Sequence, residues 1–482
     1  MSTLALALAT AELDAERVTS TARPSSALWR SFRESVVTMT AILGALVTVL
    51  LIDPEVSAAV LVVMLTLSLA RSHLDRDLRG SLESAVLLPV VALSCVGIGT
   101  LLRNAPWAGA ALFVLGMTAA IWVRRFGARA TRAGSLIALP LVTVLVTPPA
   151  TSNVFSGALV VLMPVIVALI ALAWVTLLHW GSRRLAMLPA VPAAAQKRPS
   201  RSFSPSPSTL RPSPNSRLSV QMATSLIAAF VVGFIGFPDH WAWVVLTTYI
   251  VGSGNRGRGD VAYKSILRVA GAAAGTVVVV VITGHLGGQN PQTVALILTA
   301  VFLGIWLRPL GYAWWALFAT LALSLLQGYS GSNATLLLAP RLEEIVIGAI
   351  IAVATAWFVL PVRSIMVLRR RLADALGSLQ AGLEPDTSDR SANQFQADLT
   401  QLRQVLPAFN ARRMVTRGRS GQEPADWIDT LTSCETSAVA LIKAGSASDS
   451  VRHAVRSARR SLKEPSELQP ALERLKTKLF EV

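Results

Sequence analysis

Charge in this chain is gathered into clusters, and between the clusters lie apolar runs close to the length of a bilayer crossing. A helix needs roughly 20 mostly apolar residues to span ~30 Å of hydrocarbon. Runs of this kind lie at 35–52, 56–70, 81–102, 107–123, 133–147 and 155–178. They recur at 218–236, 240–252, 262–284, 292–307, 311–327 and 342–360. Some are short, which predicts tilted or partly re-entrant segments. Composition agrees: 53% of the 482 residues are hydrophobic and 15% charged, against about 25% charged in soluble domains. The expected fold class is an all-α polytopic membrane protein of about twelve spans.

The two sets of six runs repeat one another. A shift of 184 positions aligns Arg33 with Arg217, Pro54 with Pro238 and Glu55 with Asp239. The same shift pairs Trp122 with Trp306, Arg124 with Arg308 and Gly127 with Gly311. An internal duplication accounts for all six pairs in one register. Six spans per unit would give both units the same orientation, and transporters with parallel repeats commonly bind substrate near mid-membrane between them.

Lysine and arginine set the expected orientation. One side holds Arg17, Arg23, Arg30, Arg33, Arg71, Arg76, Arg79, Arg124, Arg125, Arg129 and Arg132. The same side holds Arg183, Arg184, Lys197, Arg198, Arg201, Arg211, Arg217, Arg256, Arg258, Lys264, Arg268 and Arg308. The opposite side has Arg103 and Arg341. The positive side is expected to be cytoplasmic, with both termini there and the protein in the cell membrane. The net charge of +17 then reads as loop bias, and no nucleic-acid partner is expected. Glu12, Asp14 and Glu16 without a basic segment before an apolar core do not make a cleavable signal peptide.

Five regions follow: a cytoplasmic N-terminal segment at 1–32, a first membrane repeat at 33–180, a linker at 181–216, a second repeat at 217–361 and a cytoplasmic tail at 362–482. The linker is rich in Pro, Ser and basic residues, a composition that buries no core. In the tail, Phe395, Leu399, Leu402 and Leu406 share one helix face by spacing. Trp427, Leu431, Ala438 and Leu441 make a second such set, and Leu468, Leu472, Leu475 and Leu479 a third. The tail is expected to be a small helical domain, or helices packed on the membrane base.

Few motifs carry chemistry. Gly252-Ser253-Gly254-Asn255-Arg256-Gly257 fits a dinucleotide pattern, but that chemistry needs a preceding strand within a βαβ unit. Between apolar runs it reads as a cytoplasmic turn. No phosphate-binding GxxxxGK[ST] loop occurs. The two cysteines, Cys95 and Cys434, build neither a disulfide framework nor a metal cluster. No enzyme, metal or cofactor is expected. Gly271, Gly275 and Gly348 suit close helix packing.

Arg268, just inside an apolar run, is either a snorkelling anchor or a cation facing a cavity and binding a carboxylate. Glu343 and Glu344 beside Arg341 form either an outer-face ion pair or a proton-coupling carboxylate. Asp239 and His240 stand in an outer loop, where a histidine can couple to a proton gradient. Trp243 and Tyr249 lie farther from span ends than the other aromatics and are candidates for stacking a ring.

His240-x2-Trp243 followed by Arg268-x2-Gly271-x3-Gly275 resembles the second-half signature of fusaric acid resistance (FUSC-type) proteins, in the aromatic acid exporter group. Arg341-Leu342-Glu343-Glu344 leading to Gly348, Ala349 and Ala352 resembles that family's second signature. The resemblance covers about 217–361. Ala272 and Ile345 stand where the family often has threonine, so any role of those hydroxyls does not carry over.

The resemblance implies efflux of aromatic carboxylic acids or related organic anions. The expected function is a secondary exporter of such anions, with Arg268, Trp243 and Tyr249 binding substrate. Arg341, Glu343, Glu344, His240 and Asp239 would couple or gate. Expected partners are membrane lipid, a small organic anion, and a second copy or an envelope partner reached through the tail. A passive anion channel and a non-transporting scaffold with a partner-docking tail are the alternatives.

Overall fold

The computed structural model describes residues 24–71, 78–146, 158–184, 214–283, 290–329, 338–384, 392–415 and 423–481. The described residues form helices joined by turns, with no strand. The first half gives α1 (Pro24–Ile52), α2 (Val56–Arg71), α3 (Leu78–Asn104), α4 (Pro106–Trp122), α5 (Ala128–Val146) and α6 (Ala158–Arg184). The second gives α7 (Pro214–Gly236), α8 (Trp241–Gly252), α9 (Arg258–Thr283), α10 (Pro291–Trp306), α11 (Tyr312–Tyr329) and α12 (Leu338–Phe358).

Among the described residues six helices are long and apolar enough to cross a membrane: α1, α3, α4, α6, α7 and α9. Val56–Ala70, Ala133–Val146, Trp241–Gly252 and Pro291–Trp306 are apolar but shorter. Val47, Leu51, Val86, Leu115, Ile235, Val277 and Val281 point outward and are exposed. So many large apolar side chains facing out would be a liability in water and is what a helix bundle in lipid requires. This is a membrane protein.

Helix pairings recur between the halves. α1 packs on α2 and α6, and α7 packs on α8 and α12. Likewise α3 packs on α5 and α6, and α9 on α11 and α12; α4 meets α5, and α10 meets α11. Between the halves, α4 packs against α7 and α10 against α1. Under the 184-position shift these are one interface made twice. Aromatic rings fill both: Phe113 on Phe230 at 5.6 Å in one, Phe32 on Trp306 at 5.2 Å in the other. Each α4-type helix ends in a 3₁₀ turn closed by a glycine of positive φ, Gly127 at 112° and Gly311 at 142°. A side chain there would be strained, so both turns select glycine.

Several helices extend past the expected runs, among them α3 from Leu78, α5 from Ala128, α7 from Pro214 and α12 from Leu338, and three extensions have a visible local cause. α1 begins at Pro24, ahead of the run at 35–52, because Trp29 stacks on Phe32 and Phe32 packs on Trp306. The N-terminal segment therefore turns helical before residue 32. α6 runs on to Arg184, whose guanidinium lies 4.4 Å from the Trp180 ring. α9 begins at Arg258 rather than 262, because its polar first turn is satisfied locally. Val362 O accepts from Arg258 N at 3.0 Å and Ser364 Oγ from Gly259 N at 3.0 Å. The Asp260 carboxylate accepts from Arg256 N and pairs with Lys264 at 2.9 Å. The basic residues Arg17, Arg23, Arg76, Lys197, Arg198, Arg201 and Arg211 lie outside the described residues.

The remaining helices are α13 (Ser364–Gly382), α14 (Asn393–Arg403), α15 (Leu406–Val415), α16 (Pro424–Ser433), α17 (Glu435–Ala444), α18 (Asp449–Arg460) and α19 (Pro465–Phe480). They enclose one core of their own, which takes in all three apolar sets read from the sequence. Leu368, Leu372 and Leu376 of α13 and Val451 and Val455 of α18 complete it. The tail meets the membrane unit at the glycine-rich turn, where Arg256 donates to Gln404 O and Oε1 at 3.0 Å each. Gly257, at φ +117°, lies so close that an added Cβ would sit 2.9 Å from Ser364 Cα.

Candidate functional site

Four second-half helices, α8, α9, α11 and α12, bring charged and hydroxyl side chains together inside an otherwise apolar bundle. Small residues make the approach possible. Gly271 and Gly275 seat α9 on α11: a Cβ at Gly271 would lie 2.9 Å from Ala313 O, and one at Gly275 2.9 Å from Leu317 O. Gly348 seats α12 on α8, where a Cβ would lie 2.6 Å from Val244 O. Thr248 Oγ1 donates to Gly348 O at 3.0 Å across the same contact.

Arg268 lies about 15 Å along α9 from Arg258 and is fully buried. Its Nη1 donates to Thr320 Oγ1 at 3.2 Å and reaches Ala316 O at 3.5 Å, both on α11. Nε and Nη2 are buried with no partner. The side chain points into the bundle rather than outward to an interface. A buried guanidinium needs hydrogen bonds and a counter-charge to offset several kcal/mol of lost hydration. Among the described residues no carboxylate lies within ion-pair distance of it.

Arg341, in the first turn of α12, is also buried. Its Nη1 donates to Ser324 Oγ and its Nη2 to Gln327 Oε1, again on α11. Its guanidinium carbon stands 4.5 Å from the centroid of the Trp243 ring. Its Nε has no partner. Thr320, Ser324 and Gln327 are spaced four and three apart, so one face of α11 presents a polar ladder. Arg268 holds one rung and Arg341 the next, about 6 Å further along the axis.

The acidic pair divides. Glu343 is exposed, whereas Glu344 is buried with Oε2 unpartnered. Glu344 Oε1 stands 3.9 Å from His240 Nδ1, at the turn before α8. Asp239 is exposed in that turn. Neither carboxylate makes an ion pair with Arg341 among the described residues. Across this contact His240 faces Glu344, Trp243 faces Arg341 and Thr247 faces Gly348 on α12.

Trp243 therefore has one ring face already taken by a guanidinium, which leaves it less free to stack a ligand than the sequence suggested. Tyr249 is buried in the apolar cluster of α3, α4, α5, α7 and α8 that also holds Trp243. Thr320, Ser324 and Gln327 went unremarked in the sequence. Their spacing on an apolar helix was the available signal. Among the described residues no cluster of His, Cys, Asp and Glu is arranged to hold a metal.

Residues 225–355 match the family model described as fusaric acid resistance protein-like. That stretch contains every residue of the four-helix cluster. No curated protein and no solved structure matches the chain. The matched family points to a membrane transporter of the resistance type.

Proposed function

We propose that the protein is a secondary exporter of organic anions, aromatic carboxylic acids among them, and acts as a transporter rather than an enzyme. It would place two parallel six-helix units in the cell membrane, with twelve spans and both termini cytoplasmic. The 33–180 and 217–361 units would form the transport body. The 181–216 linker and the 362–482 tail would lie in the cytoplasm. The paired helix contacts and the twin glycine-closed turns support the repeat reading.

The observation that carries the anion reading is Arg268: fully buried, held by neutral oxygens alone, with two N–H-bearing nitrogens unpartnered. A cation so placed is stabilised when an anion arrives, and a substrate carboxylate completes its hydrogen bonds. Arg341 and Glu344, joined to the same ladder and to His240, would gate the path or couple it to protons. Basic residues on the entry side would raise the local anion concentration. The tail, docked on the turn that starts α9, is suited to regulation or to holding a partner.

The test is efflux of radiolabelled benzoate and hydroxybenzoates from cells expressing the protein, compared with cells expressing Arg268→Gln. Outward transport of at least one acid that falls to background in the variant is expected. Normal transport of every acid by Arg268→Gln would overturn the anion-site role. Anion current in proteoliposomes that is accompanied by no proton movement would indicate a channel instead.

A further inference from the structure

The charge in the cluster does not balance. Arg268 and Arg341 are buried on successive rungs of α11, and Glu344 is the one buried carboxylate beside them among the described residues. Glu344 is only three residues from Arg341, yet Arg341 spends its Nη atoms on Ser324 and Gln327, and Glu344 keeps Oε2 without a partner. Two cations against one carboxylate leave one positive charge. If Glu344 carries a proton, two remain.

We infer that Arg341 is a second anion station, one turn of α11 beyond Arg268, which takes the carboxylate of a small organic monoanion, and that Glu344 is the internal carboxylate competing with it for Arg341. The inference rests on the anion-exporter reading and deepens it. With Glu344 protonated, Arg341 lacks its intrinsic counter-charge and holds the incoming carboxylate through its unpartnered Nε–H, with the Ser324 hydroxyl as a second donor. When Glu344 gives up its proton to His240 Nδ1, which stands 3.9 Å away and must close to hydrogen-bond reach, and from there to water at the outer turn, the new carboxylate repels the bound one. One anion then leaves as one proton is released.

The ionisable groups around Glu344 are Arg341 and Glu343 on its own helix, His240 and Asp239 from the turn before α8, and Arg268 from α9. The other ionisable groups of α9, from Arg258 to Lys264, lie in its first two turns, and α7 contributes Arg217 at its far end. From α11, Ser324 and Gln327 are neutral, and Tyr312 and Tyr329 stand at its two ends. His240 is the group placed to pass a proton. The cluster is closed to solvent here, with Arg268 and Glu344 0% and 1% exposed and Arg341 2%. Entry and exit therefore require alternating access of the kind repeat-built transporters use.

The experiment measures benzoate binding to the full-length protein in detergent by calorimetry, between about pH 6 and 8, where a carboxylate of pKa about 4 stays ionised. Wild-type protein is expected to lose about tenfold in affinity across that range, within the tenfold-per-unit limit for one linked proton. Glu344→Gln, nearly isosteric, should bind at both pH values as the wild type does at the lower one. Arg341→Gln should bind at least about tenfold more weakly at the lower pH, with Arg341→Lys recovering part of the loss. A Glu344→Gln protein that keeps the wild-type pH dependence overturns the inference, whatever the folding of the arginine variants. So does benzoate affinity unchanged in Arg341→Gln. If those variants behave as wild type while Arg268→Gln loses binding, the second station alone falls. If wild-type protein binds no benzoate, or Arg268→Gln binds it normally, the exporter reading falls as well.

Discussion

Gly271→Ala is the sharpest mutational test of the cluster, because one methyl group acts on both packing and charge. The added Cβ would sit 2.9 Å from Ala313 O, 2.9 Å from Ala316 Cβ and 3.0 Å from Leu317 N. Two of those three atoms are backbone, so no side-chain rotation relieves the clash. Gly275, one turn on, is seated as closely against Leu317 O, which prevents α9 from pivoting about the new methyl. The helices must separate by about half an ångström, and overpacking of this kind costs about 1–3 kcal/mol. Arg268 Nη1 reaches Thr320 Oγ1 at 3.2 Å and Ala316 O at 3.5 Å, so that separation weakens both bonds. Leaving a buried donor unsatisfied adds about 1–3 kcal/mol.

The assay is reversible unfolding of the purified protein in mixed micelles, with Gly97→Ala as the reference. Nothing lies within 4 Å of a Cβ at Gly97, so that change should be neutral or stabilise by up to about 1 kcal/mol through lower backbone entropy in the unfolded chain. Gly271→Ala should fall at least about 2 kcal/mol below it. Equal stability of the two variants would refute the packing account of the α9–α11 contact.

At the junction with the tail, Gly257→Ala meets both a φ of +117° and Ser364 Cα at 2.9 Å, costing about 1–3 kcal/mol locally. Protease cleavage after α12 should quicken in that variant, and an unchanged rate would count against a tight junction. Cys434 is buried, donates to Thr430 O, and has its thiol pushed up to about 11, chiefly by burial. The folded form therefore favours the neutral thiol, and its contribution is lost as pH rises from about 8.5, the unfolded value, toward 11. In a Cys95→Ser background, alkylation at about pH 8 should run at least about a hundredfold slower than after unfolding; equal rates refute it. Because the tail has its own core, residues 364–481 expressed alone should give a helical spectrum and a cooperative melt. A non-cooperative melt would show that the membrane unit is needed to complete that core.

The apolar runs were legible because lipid imposes a length and a composition, and neither depends on what a helix touches. Burial on a given face does depend on it. Position alone left Arg268 as either an anchor or an inward cation, and the deciding fact is the α11 surface brought to it by Gly271 and Gly275. Glu343 and Glu344 are adjacent, so about 100° of helix turn sends one outward and one inward, and no composition rule says which. Thr320 was invisible for another reason. A threonine in an apolar helix usually bonds back to its own backbone, as Thr320 Oγ1 does to Ala316 O at 2.8 Å, so only the arriving arginine gives it another task.

The location of the cluster bears on how the two halves divide their work. The sequence suggested a site between the repeats, but α8, α9, α11 and α12 all belong to the second half. Under the 184-position shift the counterparts of Trp243, Arg268, Thr320, Ser324 and Glu344 are Ala59, Ser84, Leu136, Pro140 and Val160. The first half therefore has the architecture without the charges. Its influence must come through packing: α4 holds α7 through Phe113 and Phe230, and α7 in turn packs on α8 and α12. A pair of buried arginines is costly in hydrocarbon, and two such clusters would double that cost. Concentrating the polar face in one half spares the chain a second such cluster.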